Sequence, residues 1–278
     1  MTEDFRKSAP APLAPVAFNI PQPFETTLAN GLKVVVFEDK KLPLVSFRLI
    51  FRTGDIHEPA GAVGLNSAVA SMLSEGTESY SSKQLAEEIE RLGAHLGAGS
   101  GSDTTSLSAS SLTLYASDIL RLMAEMVLKP TFPEEELDLY RRNTIENLKY
   151  QRSQANFLAD EQVSRIIYGA HPYSKVSPKA GDVEKLTRPQ LIAHQARVFV
   201  PNNAVFIVVG DVEKDEFITE IEEKFAEWES GEVESFAFDK VPPRSARTLT
   251  IVDRKGSAQS NIVLANPAIE RNHEDYFR

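Results

Sequence analysis

The chain contains no cysteine, which excludes disulfide bonds, thiolate metal ligands and a cysteine nucleophile. The same absence is compatible with a reducing or an oxidising compartment. No apolar run approaches the roughly 18 residues that a bilayer-spanning helix needs, so no membrane span is expected. Positive charge is in short supply: 30 Lys and Arg stand against 40 Asp and Glu, a formal net charge of −10. Charge of that sign repels phosphate backbones and anionic headgroups, which argues against nucleic acid or a membrane surface as partner and fits a neutral or basic protein partner. The histidines are His57, His95, His171, His194 and His273. No two are four residues apart, so no helix face presents a pair of imidazoles. The glycine-rich run Gly97 to Gly101 lacks the third glycine of a dinucleotide loop and the Gly-Lys-Ser/Thr of a phosphate loop.

What is present is an ordinary globular composition. The 278 residues are 42% hydrophobic and 25% charged, enough for one large domain or two of ordinary size. Residues 1–23 carry prolines at 10, 12, 15, 21 and 23 and read as an extended arm. They contain no continuous apolar segment, so they are not a signal peptide. The expected compartment is therefore cytoplasmic, or periplasmic if a leader preceded Met1. Lys33 to Glu38 (KVVVFE) and Leu44 to Phe51 (LVSFRLIF) read as strands after the turn residues Asn30-Gly31. Thr104 to Leu114 and Ala204 to Val209 are further strands. Helical spacing marks Gly64 to Leu73, Ser82 to Leu92, Ala116 to Leu128, Pro133 to Gln151, Ala155 to Tyr168, Arg188 to Phe199 and Lys214 to Trp228. Long helices mixed with strands, out of strict alternation, indicate an α+β fold with helices packed on one face of a β-sheet.

The organisation expected along the chain is an arm over 1–23, a domain over 24–238 and a linker over 239–246 around Pro242-Pro243. Residues 247–278 offer two strand candidates, Thr248 to Asp253 and Ser260 to Ala265, and the first turn of a helix near Asn272. A unit that small cannot bury its own core, so this stretch reads as the beginning of a second domain that is cut short.

An ordered set of short motifs then becomes informative. Thr27 to Glu38 (TLANGLKVVVFE) is followed by Pro43, Gly54, Glu58 and Gly64-Leu65. Further on come Glu75-Gly76-Thr77, Leu92-Gly93-Ala94, Tyr168-Gly169-Ala170-His171-Pro172-Tyr173, Leu186-Thr187-Arg188, and Pro201-Asn202-Asn203 leading to Val209-Gly210-Asp211-Val212. In this order and approximate spacing, over roughly residues 24 to 275, the chain resembles the pitrilysin/insulinase family of zinc metallopeptidases. That resemblance implies a catalytic helix bearing His-x-x-Glu-His, whose histidines bind zinc while the glutamate activates the metal-bound water. Aligned on Gly64-Leu65 and Glu75-Gly76-Thr77, those three positions fall on Ser67, Ala70 and Ser71. The family's third ligand, a glutamate on a later helix, falls on Asn147 or, with the register moved by one residue, on Glu146, whose side chain is turned by about 100° from it; one carboxylate without the histidines would not hold catalytic zinc. A serine hydroxyl is a poor zinc donor beside imidazole, and alanine has no group to accept a proton.

The resemblance therefore implies a non-catalytic member that binds no metal itself, with zinc held by an active metallopeptidase subunit in a heterodimer, and peptide held in a chamber shared by the two. In the strand after Gly93 the family places an asparagine that contacts peptide, where this chain has Gly97. The tentative peptide-binding residues are Gly97, Ala98, Gly99 and Ser100. Without bulky side chains such a strand can accept a neighbour along its edge, or its glycines can serve tight internal packing. The rival functions are a structural assembly subunit like the core proteins of the cytochrome bc1 complex, a stand-alone peptide-binding protein and, last, an active zinc protease.

Overall fold

The computed structural model describes Leu13 and residues 21–233, 236–238, 240, 241, 243 and 246–277. Most of the arm expected over 1–23 and part of the linker expected over 239–246 lie outside the described residues. Six strands make one mixed sheet: β1 (Phe24–Thr27), β2 (Lys33–Glu38), β3 (Leu44–Phe51), β4 (His95–Ser100), β5 (Thr105–Leu112) and β6 (Ala204–Gly210), in the order β1-β2-β6-β3-β5-β4. β6 runs parallel to β2 and antiparallel to β3, and the other neighbours are antiparallel. The last strand in sequence thus sits at the centre of the sheet, while β1 and β4 form its edges.

Alternation decides which face is covered. Val45, Phe47, Leu49 and Phe51 of β3, with Phe206 and Val208 of β6, are buried, whereas Ser46 and Arg48 between them are exposed. Period-two patterning of this kind buries one face only. Onto that face pack α1 (Leu65–Met72), α2 (Ser82–Arg91), α3 (Ala116–Leu128) and α8 (Lys214–Lys224), while α7 (Arg188–Val198) packs against α1. A second tier of α4 (Glu134–Ser153), α5 (Ala155–Tyr168) and the one-turn α6 (Ala180–Val183) lies outside α1. Aromatic rings fill the central layer: Phe47 stacks on Phe206 and Phe217, and Phe51 stacks on Phe199 at 4.2 Å and meets Trp228 edge-on. Offset stacks and edge contacts of this kind add to the area they bury.

The expected α+β layer is present, with differences that have local causes. α8 ends at Lys224 rather than Trp228, because Phe225 and Trp228 turn back to the core and the amide of Asn30 donates to both of their carbonyls, at 3.1 and 3.2 Å. The turn that carries Asn30 needs glycine next to it: Gly31 has φ 86°, and a Cβ there would lie 2.8 Å from that of Asn202. β1 and α6 are too short to register as periodic patterns. The strands expected at 248–253 and 260–265 are absent, as is a helix near Asn272. Residues 247–277 contain only turns and extended chain, with Leu249, Ile251, Ile262 and Leu264 more than four-fifths exposed. A β-pattern becomes a strand only where an edge is available to pair with, and no edge meets these segments. Among the described residues no helix is long and apolar enough to cross a membrane.

Candidate functional site

Helix α1 starts without a side-chain cap of its own. Gly64 occupies the N-cap at φ 92°, and the orphan N–H groups are taken by Glu58, which reaches in from the preceding loop. Its Oε2 accepts from the N–H of Gly64 at 3.0 Å and its Oε1 from that of Asn66 at 2.8 Å. A carboxylate at a helix N-terminus is favoured by the unpaired N–H groups and the helix dipole. Burial acts against the charge and wins, pushing the Glu58 carboxyl up to about 7 despite the two N–H donors.

Asn66, the second residue of α1, is fully buried and tied in three directions. Its Nδ2 donates to Ser100 Oγ (2.6 Å) on β4 and to Thr105 Oγ1 (2.7 Å) on β5, and Thr105 in turn donates to the carbonyl of Thr53. With both amide hydrogens given away, Asn66 Oδ1 is left as an acceptor for Nε2 of His194 on α7, 3.0 Å away. That arrangement makes Nε2 the protonated nitrogen of a neutral imidazole. His194 is 3% exposed, and burial, with Arg197 and His57 nearby, pushes its pKa down to about 4. It is a satisfied core residue, unlike His57, His95 and His171, which lie at turns or on the surface.

A cleft of about 550 Å³ opens between α1 and α4. Ser67, Ser71 and Asn147, far apart in sequence, line it together. Ala70 does not: it is 1% exposed and turned to the core. Glu146 does not either, since its side chain faces solvent and pairs with Lys149 at 2.6 Å. Two hydroxyls and one amide do not fit a zinc ion, which takes imidazole, thiolate or carboxylate donors. Among the described residues no three His, Cys, Asp or Glu side chains converge as a metal site. A larger open space of about 2310 Å³, between α5 and described residues of the stretch from Ala246 to Arg271, is lined by none of the expected site residues.

The cleft and the sheet edge meet at Asp55, which sequence reasoning did not single out. Its Oδ1 accepts from Ser100 Oγ on β4 at 2.7 Å and from Ser67 Oγ on α1 at 3.3 Å. Gly97, Ala98, Gly99 and Ser100 all lie on β4, the edge strand. The closing bond from Gly101 N–H to the carbonyl of Thr104, carried back through the register Gly99↔Ser106 and Gly97↔Ser108, gives Gly97 and Gly99 the pairs that bond to β5. Alternation then directs the backbone N–H and C=O of Ala98 and Ser100 outward. A Cβ added at Gly97 or Gly99 would meet nothing within 4 Å, and neither has a positive φ, so internal packing does not require glycine at either position. Asp55 and Glu58 had one available signal, acidic residues just ahead of a helix start; nothing in the sequence joins Asn66 to His194, 128 positions away.

Comparison with known proteins agrees with this geometry. The family described as insulinase (peptidase family M16) matches residues 33–177, and the peptidase M16 inactive domain matches residues 185–278. An uncharacterized zinc protease, YmxG, of Bacillus subtilis is 25% identical over 254 residues, 90% of this chain and 60% of that protein. A protein named non-peptidase homolog YmxG, from Helicobacter pylori, is 22% identical over 190 residues, 67% of this chain and 44% of its own length. Among solved structures, a peptidase M16 inactive domain from Pseudomonas fluorescens superposes with TM-score 0.74 and 29% identity, covering 80% of this chain and 54% of that one. The chain thus spans between 44% and 60% of the length of these relatives.

Proposed function

This chain belongs to the insulinase family of peptidases (family M16), and on that premise we propose that it is a non-catalytic member that binds peptide along β4 and lends a wall to the chamber of an active partner subunit. The observation that carries the reading is the cleft between α1 and α4: the positions where the family's zinc chemistry is expected hold Ser67, Ser71 and Asn147, and Ala70 is buried beside them. With no imidazole pair and no glutamate at those four positions, Ser67, Ser71 and Asn147 can donate and accept hydrogen bonds but cannot hold a zinc ion and activate its water as the family does. Any proteolysis then belongs to the partner, and zinc with it. The naming of one relative as a non-peptidase homolog supports the reading, although another is named a zinc protease.

The peptide-binding half of the proposal rests on the outward backbone groups of Ala98 and Ser100. An extended peptide can pair with such an edge, taking affinity from main-chain hydrogen bonds and specificity from alternate side chains. The low profile of Gly97 and Gly99 leaves space over the sheet for the side chains of an added strand.

The test begins with the purified chain carrying no metal-binding tag. Elemental analysis is expected to find no bound zinc, and a quenched peptide library no cleavage with or without added zinc. One zinc per chain together with cleavage that a chelator abolishes would overturn the non-catalytic reading. For the edge, Ala98→Pro removes an outward N–H without breaking a bond to β5, a place where an edge strand tolerates proline. Peptide affinity by fluorescence anisotropy is expected to fall about tenfold or more, while the unfolding midpoint moves by less than about 1 kcal/mol in equivalent stability. Unchanged affinity in the folded variant would place any bound peptide elsewhere. Mixing the chain with an active relative, with cleavage rate as readout, separates a chamber subunit from a stand-alone binder: only the first raises the rate.

A further inference from the structure

We propose that the cleft between α1 and α4 receives a lysine or arginine side chain of the bound peptide, so that the chain selects basic peptides. The proposal rests on the peptide-edge reading above and names its substrate class. Its first support is charge gathered in a half-open cleft. Asp55, Glu75 and Glu136 line the cleft, and no Lys, Arg or His lines it. The carboxylates are only partly engaged: Asp55 accepts two hydroxyls through Oδ1, Glu75 accepts Ser82 Oγ at 2.6 Å, and the Glu136 side chain makes no hydrogen bond or ion pair among the described residues. A volume of about 550 Å³ lies within the range of small-ligand pockets and admits a long side chain.

The second support is independent of charge. Antiparallel alternation sends the side chains of β4 at Leu96, Ala98 and Ser100 toward the helices, where Ser100 reaches Asn66 of α1 and Asp55 at the cleft rim. A strand added outside β4 alternates in the same way, so every second side chain of a bound peptide points to the helix side, beside Ser67. The cleft lining matches an amphipathic cation in its parts. Leu139 and Val176 offer apolar contact for an aliphatic stem, and Asn143 and Asn147 offer neutral carbonyl acceptors to a guanidinium or ammonium head. An acidic side chain in the same place would meet three carboxylates. An apolar one would cover them without pairing them, at a desolvation cost.

The experiment uses three β-branched peptides that differ only at one central position, Arg, Gln or Glu, and measures affinity by fluorescence anisotropy for the wild-type chain, for Glu136→Gln and for the double variant Asp55→Asn with Glu136→Gln. The Arg peptide is expected to bind roughly tenfold more tightly than the Gln peptide, and more tightly still than the Glu peptide, with the preference shrinking as salt is raised. The double variant is expected to bring the Arg/Gln ratio to about 1–2, and Glu136→Gln alone, a near-isosteric change on a half-buried side chain, to lower it without disturbing the fold. Equal binding of all three peptides by the wild-type chain, with sensitivity to Ala98→Pro retained, overturns the basic-side-chain proposal and leaves the edge reading standing. An Arg preference that both variants keep also overturns it, because the selecting charge then lies elsewhere. Binding of no peptide at all removes both readings.

Discussion

Between about pH 4.5 and 6.5 the variants Glu58→Gln and His194→Gln should show opposite changes in stability relative to the wild type. Glu58 is raised in the folded chain from 4.5 to about 7. Its contribution is therefore fully present below pH 4.5 and is lost as pH rises through 7. His194 is lowered from 6.5 to about 4, so its contribution is present above pH 6.5 and is lost as pH falls through 4. Unfolding releases a proton from the first group and takes one up at the second, and over the shared window the two nearly cancel. Each slope approaches 1.4 kcal/mol per pH unit when one state is protonated and the other is not. Partial solvent access to Glu58 reduces this, giving a change of roughly 2 kcal/mol across the window.

Glu58→Gln leaves the His194 slope uncovered, so its stability relative to the wild type climbs from pH 4.5 to 6.5. His194→Gln, whose amide can still donate to Asn66 Oδ1, leaves the Glu58 slope, so its relative stability declines over the same interval. Urea midpoints at half-unit pH steps provide the measurement, and taking differences from the wild type cancels the titration of the other carboxylates. The level of each curve also carries the lost hydrogen bonds; only the slope reports titration. Parallel curves for wild type and both variants would mean that neither group is shifted as the burial at α1 dictates.

That pair also marks the boundary of what could be read from the amino-acid sequence. β3 and β6 were legible as apolar, β-branched runs such as Ala204 to Val209, β5 because Thr104 to Leu114 alternates, and α2 because Leu85, Ile89 and Leu92 recur on one helix face. The four site positions were readable only by family resemblance. Small residues such as Ser67 and Ala70 produce no pattern that distinguishes a cleft wall from a packed helix, and it takes the fold to show that Ser67, Ser71 and Asn147 share one opening while Glu146 faces away. Asp55 joins the edge strand to that opening through hydroxyls from two separate elements, a relation that exists only in three dimensions. The overreading at 248–253 has the opposite origin: the local pattern favours a strand, but strand formation is a property of two neighbours. Gly97 and Gly99 were left open between an internal and an external reason, and the empty space around both positions favours the external one.

The largest gain of function is expected from the triple variant Ser67→His, Ser71→His, Asn147→Glu, which should bind one zinc with a dissociation constant on the order of 1 µM or tighter. Ser67 and Ser71 lie four apart on α1, hence on one face, and both open on the cleft that Asn147 lines from α4. Two imidazoles and a carboxylate there form a donor set that zinc accepts, with a fourth position left to water. The sacrifice is small, because Ser67 gives up only a 3.3 Å bond to Asp55, which keeps Ser100 at 2.7 Å. Zinc at a hundredfold excess over that constant should then stabilise the variant by about 2.7 kcal/mol, visible as a rise in its thermal midpoint that the wild-type chain does not show. Cleavage should still be absent, since Ala70 supplies no base. Adding Ala70→Glu would place a carboxylate at a position 1% exposed and cost several kcal/mol unless the metal-bound water or a shifted side chain satisfies it. Metal binding is thus separable from catalysis in this chain and should be recovered first. A folded triple variant that leaves zinc in solution would show that the three positions do not converge on a common point, and the cleft would then have to be read as a surface with no history as a metal site.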